Sequence, residues 1–487
     1  MVYMIYEVND NNYLIISSGE WNMDGKSPCA NIKVGFAPTR RDIFSREDAL
    51  AYRRKIRERL DMLGPDIIDI DDINDEGLMY DVESASKVAR KFVSEGVDAV
   101  FAPHCNFGTE EAVATLGSIV KKPLLLWGPR DEAPLDDGLR LRDTQCGLFA
   151  TSKVLQRFNI PFTYIENCRL EHPMFEREFK TFIAAANVVK RFYGMKIGQV
   201  ATRPSSFLSV MYNEAELLEL FNIHVEPISL LEISGSMKKS LSHIRDDYAK
   251  SAVNYNKDIC HGCSEDSIVK MLALKDVITR WADREKLDAV AFQCWDAFMD
   301  EFGISPCFIN SELTGEGLPV VCEMDICGAV SAVMAGAAAL DENPIFFADL
   351  TVRHPTNDNA ELLWHCGSFP YKLKKPESEA RVSDHYTLPS GCPGVCEWEI
   401  RPGIVSICRF DGIKGKYSLI AAKGRGIDGP HCKGTYLWTE FNDWPGIERR
   451  FIYGPYIHHV AGIHGDIIPT LKEALRYMPG ITDDLIE

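Results

Sequence analysis

The chain reads as an α/β protein with two doubly wound parallel-sheet domains followed by a β-rich C-terminal domain. Three observations carry this reading. Between Asn31 and Asp349, short apolar runs alternate with longer helix-patterned segments, the rhythm of parallel strands joined by crossover helices. Beyond Asp349, helical periodicity fades, Gly and Pro rise, and short runs alternate as antiparallel strands do. Finally, 487 residues with 46% hydrophobic composition suffice for several domains, each with its own core.

Residues 1–30 read as an extension. The first domain, 31–165, starts with a strand at 32–36 and a helix at 46–62 that carries charge on its exposed face. Strand and helix then alternate at 67–70, 82–94, 98–102, a helix ending at Val120, 123–127, 144–158 and 162–165, with right-handed crossovers. The second domain, 166–349, begins with a long helix at 176–194. It continues with strands at 197–201 and 225–228, charged helices within 236–285, and a strand at 289–292 ending in Gln293-Cys-Trp295. The third, 350–487, has antiparallel-type runs at 404–409 and 417–421 and one helix at 468–476.

A net charge of −18 argues against nucleic acid or an anionic membrane surface as partner, because no global positive field attracts phosphates. No apolar run has the length of a membrane span. The N-terminus lacks a charged n-region and a cleavage site, and 15 cysteines without an export signal point to reduced thiols and a cytoplasmic location.

The chemistry concentrates in residues 319–354. An apolar run at 319–322 stops at Glu323, a small-residue segment at 326–340 favours helix, and a second apolar run at 345–348 stops at Asp349. Read as strand, helix, strand of one parallel sheet, this places both carboxylates at carboxyl ends of neighbouring strands, where open sheets bind ligands. Two converging carboxylates suit a divalent cation or acid–base work; the alternative is that both merely cap the next segment. His365 follows another apolar run. His458 and His459 are adjacent, so on a strand they face opposite sides and only one points to a given site. Two carboxylates and two imidazoles make a mixed O/N set suited to Mn²⁺, Co²⁺, Fe²⁺ or Zn²⁺, whereas each histidine alone reads as a packed core residue.

Other motifs carry less. Gly424–Gly429 is a formal G-x-G-x-x-G followed by Pro430 rather than a helix, so it reads as a loop of the β-rich domain. Cys260 and Cys263 have C-x-x-C spacing without a second pair, and read as a loop. The loop from His104 to Glu110 enters a helix with Thr109 as N-cap, and its N–H groups, near Asn106, suit a hydroxyl or an anion as well as ordinary capping.

The order QCW, CEMD, a small-residue helix, FFAD, WHCG and HH resembles the L-fucose and L-arabinose isomerase superfamily. The resemblance implies that Glu323 and Asp349 bind a metal and flank the sugar, and that His459 is a further ligand. It implies His365 as an added ligand on the arabinose-isomerase pattern; the fucose pattern lacks it. It also implies an Arg just after the first strand. This chain has Ala37 there, with Arg40 and Arg41 nearby to serve instead.

The implied activity is a metal-dependent aldose–ketose isomerase acting on an open-chain sugar by an enediolate mechanism. Mn²⁺ is the leading cofactor, with Co²⁺, Fe²⁺ or Zn²⁺ as alternatives, and Glu323 and Asp349 act as acid and base in an order the sequence leaves open. Gln293, Trp295, Arg40, Asn106 and His458 are the candidate substrate-binding residues. Pentoses, 6-deoxyhexoses and anionic sugars such as a sulfonated hexose all remain open, with Arg40, Arg41 and Arg203 as basic candidates. An epimerase or aldolase-like enzyme with the same metal, and a non-catalytic sugar-binding protein, are the rival classes. The resemblance also implies a homo-oligomer, a hexamer for preference, in which the N-terminal domain of one subunit closes a neighbour's site; a first domain without an evident ligand of its own agrees with such sharing.

Overall fold

The computed structural model describes residues 32–241, 259–260, 263–295, 297–386 and 391–486; the 1–30 extension lies outside them. The described residues fall into two compact units. One comprises the chain to Arg191 together with Pro469–Pro479, and the other Phe192–Ile468 together with the segment from Gly480.

In the first unit, strands β1 (Lys33–Phe36), β2 (Asp66–Ile68), β3 (Ala99–Pro103), β4 (Leu124–Trp127) and β5 (Thr163–Tyr164) form a parallel sheet in the order β2-β1-β3-β4-β5. Helices Arg46–Leu63, Val82–Glu95, Glu110–Val120 and Thr144–Arg157 are the crossovers. Their boundaries follow local chemistry. Asp81 and Ser84 form a reciprocal capping box at the start of Val82–Glu95, and Gly96 ends that helix in the left-handed conformation. Apolar faces of these helices, such as Val88 and Phe92, meet Val100, Ala102 and Leu124 in one core.

The second unit has two sheets. Strands β6 (Lys196–Val200), β7 (His224–Ile228), β8 (Ala289–Phe292) and β9 (Val320–Cys322) form a parallel sheet in the order β7-β6-β8-β9. The remaining strands are β10 (Phe346–His354), β11 (Asn357–His365), β12 (Arg381–Asp384), β13 (Pro393–Glu399), β14 (Ile404–Ile413), β15 (Lys416–Ile427), β16 (Thr435–Phe441), β17 (His459–His464) and β18 (Ile481–Ile486). They form one nine-stranded sheet, β12-β13-β16-β11-β10-β17-β14-β15-β18. Because β15 also pairs with β16, the six strands from β16 through β11, β10, β17, β14 and β15 close on themselves as an antiparallel barrel. Two doubly wound sheets and a β-rich C-terminal part are thus present, as the sequence predicts.

The strand–helix–strand reading of 319–349 needs correction. β9 belongs to the parallel sheet, but β10 pairs antiparallel with β11 and β17 in the barrel. Asp349 therefore stands within a nine-residue strand rather than at the carboxyl end of a parallel one. The linking helix, Ile326–Ala338, is buried at every residue and packs between β8 of the sheet and β14 and β17 of the barrel. Its Ala and Gly content is what lets two sheets approach one helix from both sides. Further helices at Cys307–Gly315 and Trp444–Tyr453 add to the expected set.

Gly424 and Gly426 lie inside β15, not in a loop; a Cβ on Gly424 would sit 2.6 Å from the Thr439 side chain and 2.8 Å from the Glu440 carbonyl, so close strand pairing is what the glycine serves. Cys260 and Cys263 are both buried, and His261 and Gly262 between them lie outside the described residues. Among the described residues, no helix is long and apolar enough to cross a membrane.

Candidate metal centre and active site

Glu323 immediately follows β9, whose Cys322 pairs in register with Phe292 of β8, so Glu323 and Gln293 emerge side by side. The order β7-β6-β8-β9 puts the topological switch point between β6 and β8, and ligands of such sheets bind beyond the strand ends there. Glu323 (φ 63°) and Met324 (φ 59°) are consecutive non-glycine residues in the left-handed region. Such a conformation costs about 1–3 kcal/mol per residue and persists where surrounding structure imposes it. The Met324 N–H donates to the Phe292 carbonyl (3.1 Å) and the Asp325 N–H to that of Cys322 (3.3 Å), which pins the turn and projects the Glu323 carboxylate from it.

The barrel supplies the opposing groups. Asp349 of β10 is directly opposite His459 of β17, so both side chains share one face. His459 Nε2 lies 3.1 Å from Glu323 Oε2 and 3.4 Å from Asp349 Oδ1, and His365 Nε2 lies 3.9 Å from the same Asp349 oxygen. Asp349 Oδ1, His365 Nε2 and His459 Nε2 are buried without a hydrogen-bond partner.

His458 corrects the alternation argument. It precedes the first residue of β17, so strand alternation does not apply to it, and ligand atoms of Asp349, His458 and His459 all lie within 4.8 Å of one another. The two histidines converge rather than diverge.

The donor set fits a cation. Metal–ligand bonds of about 2.0–2.2 Å place two ligands at right angles about 3 Å apart, close to the 3.1 and 3.4 Å that separate His459 Nε2 from Glu323 Oε2 and Asp349 Oδ1. His459 also has the outer partner such ligands need. Its Nδ1 lies 2.8 Å from Asp325 Oδ2, which turns Nε2 toward Glu323 and Asp349. His365 is held differently: its Nδ1 accepts the Cys366 backbone N–H at 2.9 Å.

Electrostatics agree with this arrangement. Burial would push the His459 imidazole toward neutrality, but the hydrogen bond to Asp325 and the nearby carboxylates of Glu323 and Asp349 raise its pKa to about 10. Burial raises and His459 lowers the carboxyl of Glu323, with a net downward shift. Asp325 is held well below the usual carboxylate range, since Arg409 and His459 outweigh its burial. His458 is shifted downward by burial and by the neighbouring His459.

Aromatic rings surround these groups. Phe347 lies 5.1 Å from the His459 ring, and Phe207, in the loop after β6, lies 5.6 Å from His459, 5.8 Å from His458 and 6.5 Å from Trp295. Trp295 Nε1 is buried without a partner. Arg203, in the same loop as Phe207, donates to the carbonyls of Pro204 (3.0 Å) and Ser205 (2.9 Å).

Arg40 and Asn106 belong to the first unit, where both side chains are engaged. Arg40 pairs with Glu76 at 2.5 Å and with Asp42, and stacks over Tyr80. Asn106 accepts from the N–H groups of Arg41 (2.8 Å) and Gly108 (3.2 Å) and donates to the carbonyls of Arg41 and Ser45. Thr109 stands at the N-cap position, but its hydroxyl donates to the Arg40 carbonyl at 2.7 Å instead of capping the helix.

Sequence reasoning missed Asp325, Arg409, Asp411 and Phe207. A signal existed for the first three: Asp325 follows Glu323 by two residues at a helix start, and Arg409 and Asp411 interrupt an otherwise apolar strand.

Residues 35–193 match the family model for the fucose/sulfoquinovose isomerase N-terminal domain. Proteins named sulfoquinovose isomerase from Priestia aryabhattai and Priestia megaterium are each 25% identical over 452 residues, covering 92% of this chain and 98% of theirs. A third of that name, from Alkalicoccus urumqiensis, is 23% identical over 79% of this chain and 85% of its own. Together with the fold and the order of motifs, these likenesses support the place of the chain in the fucose isomerase-like superfamily.

Proposed function

We propose that this protein is a metal-dependent aldose–ketose isomerase acting on a sulfonated aldohexose. The observation that carries the reading is the convergence of Glu323, Asp349 and His459 on one point, with buried ligand atoms of Asp349 and His459 lacking hydrogen-bond partners. Glu323, Asp349 and His459 hold the cation, Mn²⁺ foremost, with His365 and His458 beside them. When bound, the cation supplies Lewis-acid stabilisation of negative charge developing on the two sugar oxygens.

The residues divide the remaining work. Isomerisation removes a proton from C2 of the aldose and returns one to C1, and Glu323 and Asp349, from different sheets, flank the space where the reacting carbons lie. Gln293 binds hydroxyls at the end of β8. Trp295 and Phe207 give an apolar wall against the sugar and limit water near the reacting carbons. His458, outside the strand, binds a substrate hydroxyl. The names of relatives spanning 92% of the chain support the sulfonated substrate, and a closed homo-oligomer, a hexamer for preference, and a cytoplasmic location complete the reading.

The test is a panel of sulfoquinovose, neutral aldohexoses, L-fucose and L-arabinose, incubated with Mn²⁺-loaded protein and scored for ketose. Conversion of sulfoquinovose to its ketose above all others is expected. Simple inversion at one carbon, or carbon–carbon cleavage, overturns the reading.

A further inference from the structure

We infer that Arg409 is a positioning residue for the proposed metal centre, acting through Asp325 on His459; the inference rests on the metal reading above. The chain of contacts is buried throughout: Arg409 is 1% exposed, and Asp325 and His459 are 0% exposed. Arg409 Nη2 donates to Asp325 Oδ1 at 3.1 Å and Nη1 to Asp325 Oδ2, a two-point grip on one carboxylate. The same guanidinium donates through Nε (2.9 Å) and Nη2 (2.7 Å) to Asp411 Oδ2.

Asp325 is thereby held from three directions. Its Oδ1 accepts the Gly328 N–H at 2.9 Å, capping the buried helix, while its Oδ2 lies 2.8 Å from His459 Nδ1. Gly328 is required at that place, since a Cβ there would lie 2.7 Å from Asp325 Oδ2. The ring angle of His459, and so the direction of Nε2 toward Glu323 and Asp349, is set by a carboxylate that cannot turn.

Only arginine suits the central position. Two buried carboxylates need a cation with donors spread over a plane, and lysine offers a single nitrogen. A merely structural Arg409 would stabilise the junction of helix and barrel without affecting ligand geometry, and the two roles separate experimentally.

The experiment measures Mn²⁺ affinity of the full-length protein by calorimetric titration, alongside thermal melts in chelator. Three variants are compared with wild type: Arg409→Lys, Asp325→Asn, and the charge-balanced Arg409→Met/Asp411→Asn. The expected result is 10- to 100-fold weaker Mn²⁺ binding in each folded variant, the range typical of lost outer partners of metal-bound histidine, with a weakened imidazole nitrogen coupling in pulsed EPR. Mn²⁺ binding within twofold of wild type in either folded Arg409 variant overturns the proposal. Failure of even Arg409→Lys to fold does so too, since it assigns Arg409 to folding alone. If wild type itself binds no Mn²⁺, the metal reading fails instead, and the two failures are told apart.

Discussion

Replacing His459 by alanine removes the one imidazole around which Glu323, Asp325 and Asp349 are gathered, at 3.1, 2.8 and 3.4 Å. In metal-free protein at neutral pH this ring is cationic, its pKa being raised to about 10. Each contact is worth about 5 kcal/mol of gross attraction at an effective dielectric near 20. Desolvation and mutual repulsion of the carboxylates offset most of this, leaving about 3–5 kcal/mol, the usual cost of stranding buried charge. The folded-state pKa lies above the unfolded value of about 6.5, so the stabilisation is fully present below pH 6.5 and is lost as pH rises through 10. In chelator, His459→Ala should therefore melt roughly 3–5 °C below wild type near pH 6, with the gap closing by pH 10. Melts at pH 6, 8 and 10 check this, and a gap that is absent, flat or widening with pH refutes the reasoning.

Three more predictions follow from the same geometry. Glu323→Gln, which removes a proton-transfer group and a ligand charge, should lower kcat for ketose formation by about 10²–10⁴ with an unchanged circular dichroism spectrum; wild-type turnover would exclude Glu323 from the chemistry. Because Mn²⁺ must displace the proton of His459, its affinity should rise about tenfold per pH unit between pH 6.5 and 9, and pH-independent calorimetric titrations would contradict that ligand assignment. Burial raises the Glu361 carboxyl to about 7, so it costs stability once ionised; Glu361→Gln should stabilise the fold by about 1–2 kcal/mol at pH 8 and by little at pH 5, and an equal effect at both values would refute the assignment.

Much of the fold is legible because period and punctuation agree with tertiary structure. The crossover helix 46–62 of the sequence reading is Arg46–Leu63, ended by Gly64, and the helix at 82–94 is Val82–Glu95, ended by Gly96. The destination of β10 was not legible. A run such as FFAD is equally apolar in a buried parallel strand and in a closed barrel, and only the pairing with β11 and β17 decides between them. Of the site, residue chemistry points to Glu323 and Asp349, the family resemblance adds His459 and His365, and the structure brings all four together. The clamp behind them was not, because Arg409 and Asp325 are 84 positions apart and nothing local joins them. His458 lies just outside β17, where the alternation rule for strand interiors does not hold.

The central claim is that Glu323, Asp349 and His459 hold a cation on which aldose–ketose isomerisation depends. One measurement tests it most directly: ketose formed from sulfoquinovose by chelator-treated protein, before and after stoichiometric Mn²⁺. The account predicts negligible turnover in the metal-free protein and restoration at about one equivalent per chain, with no restoration in His459→Ala at the same concentration. Full turnover by rigorously metal-free protein, or restoration in His459→Ala equal to wild type, would contradict it.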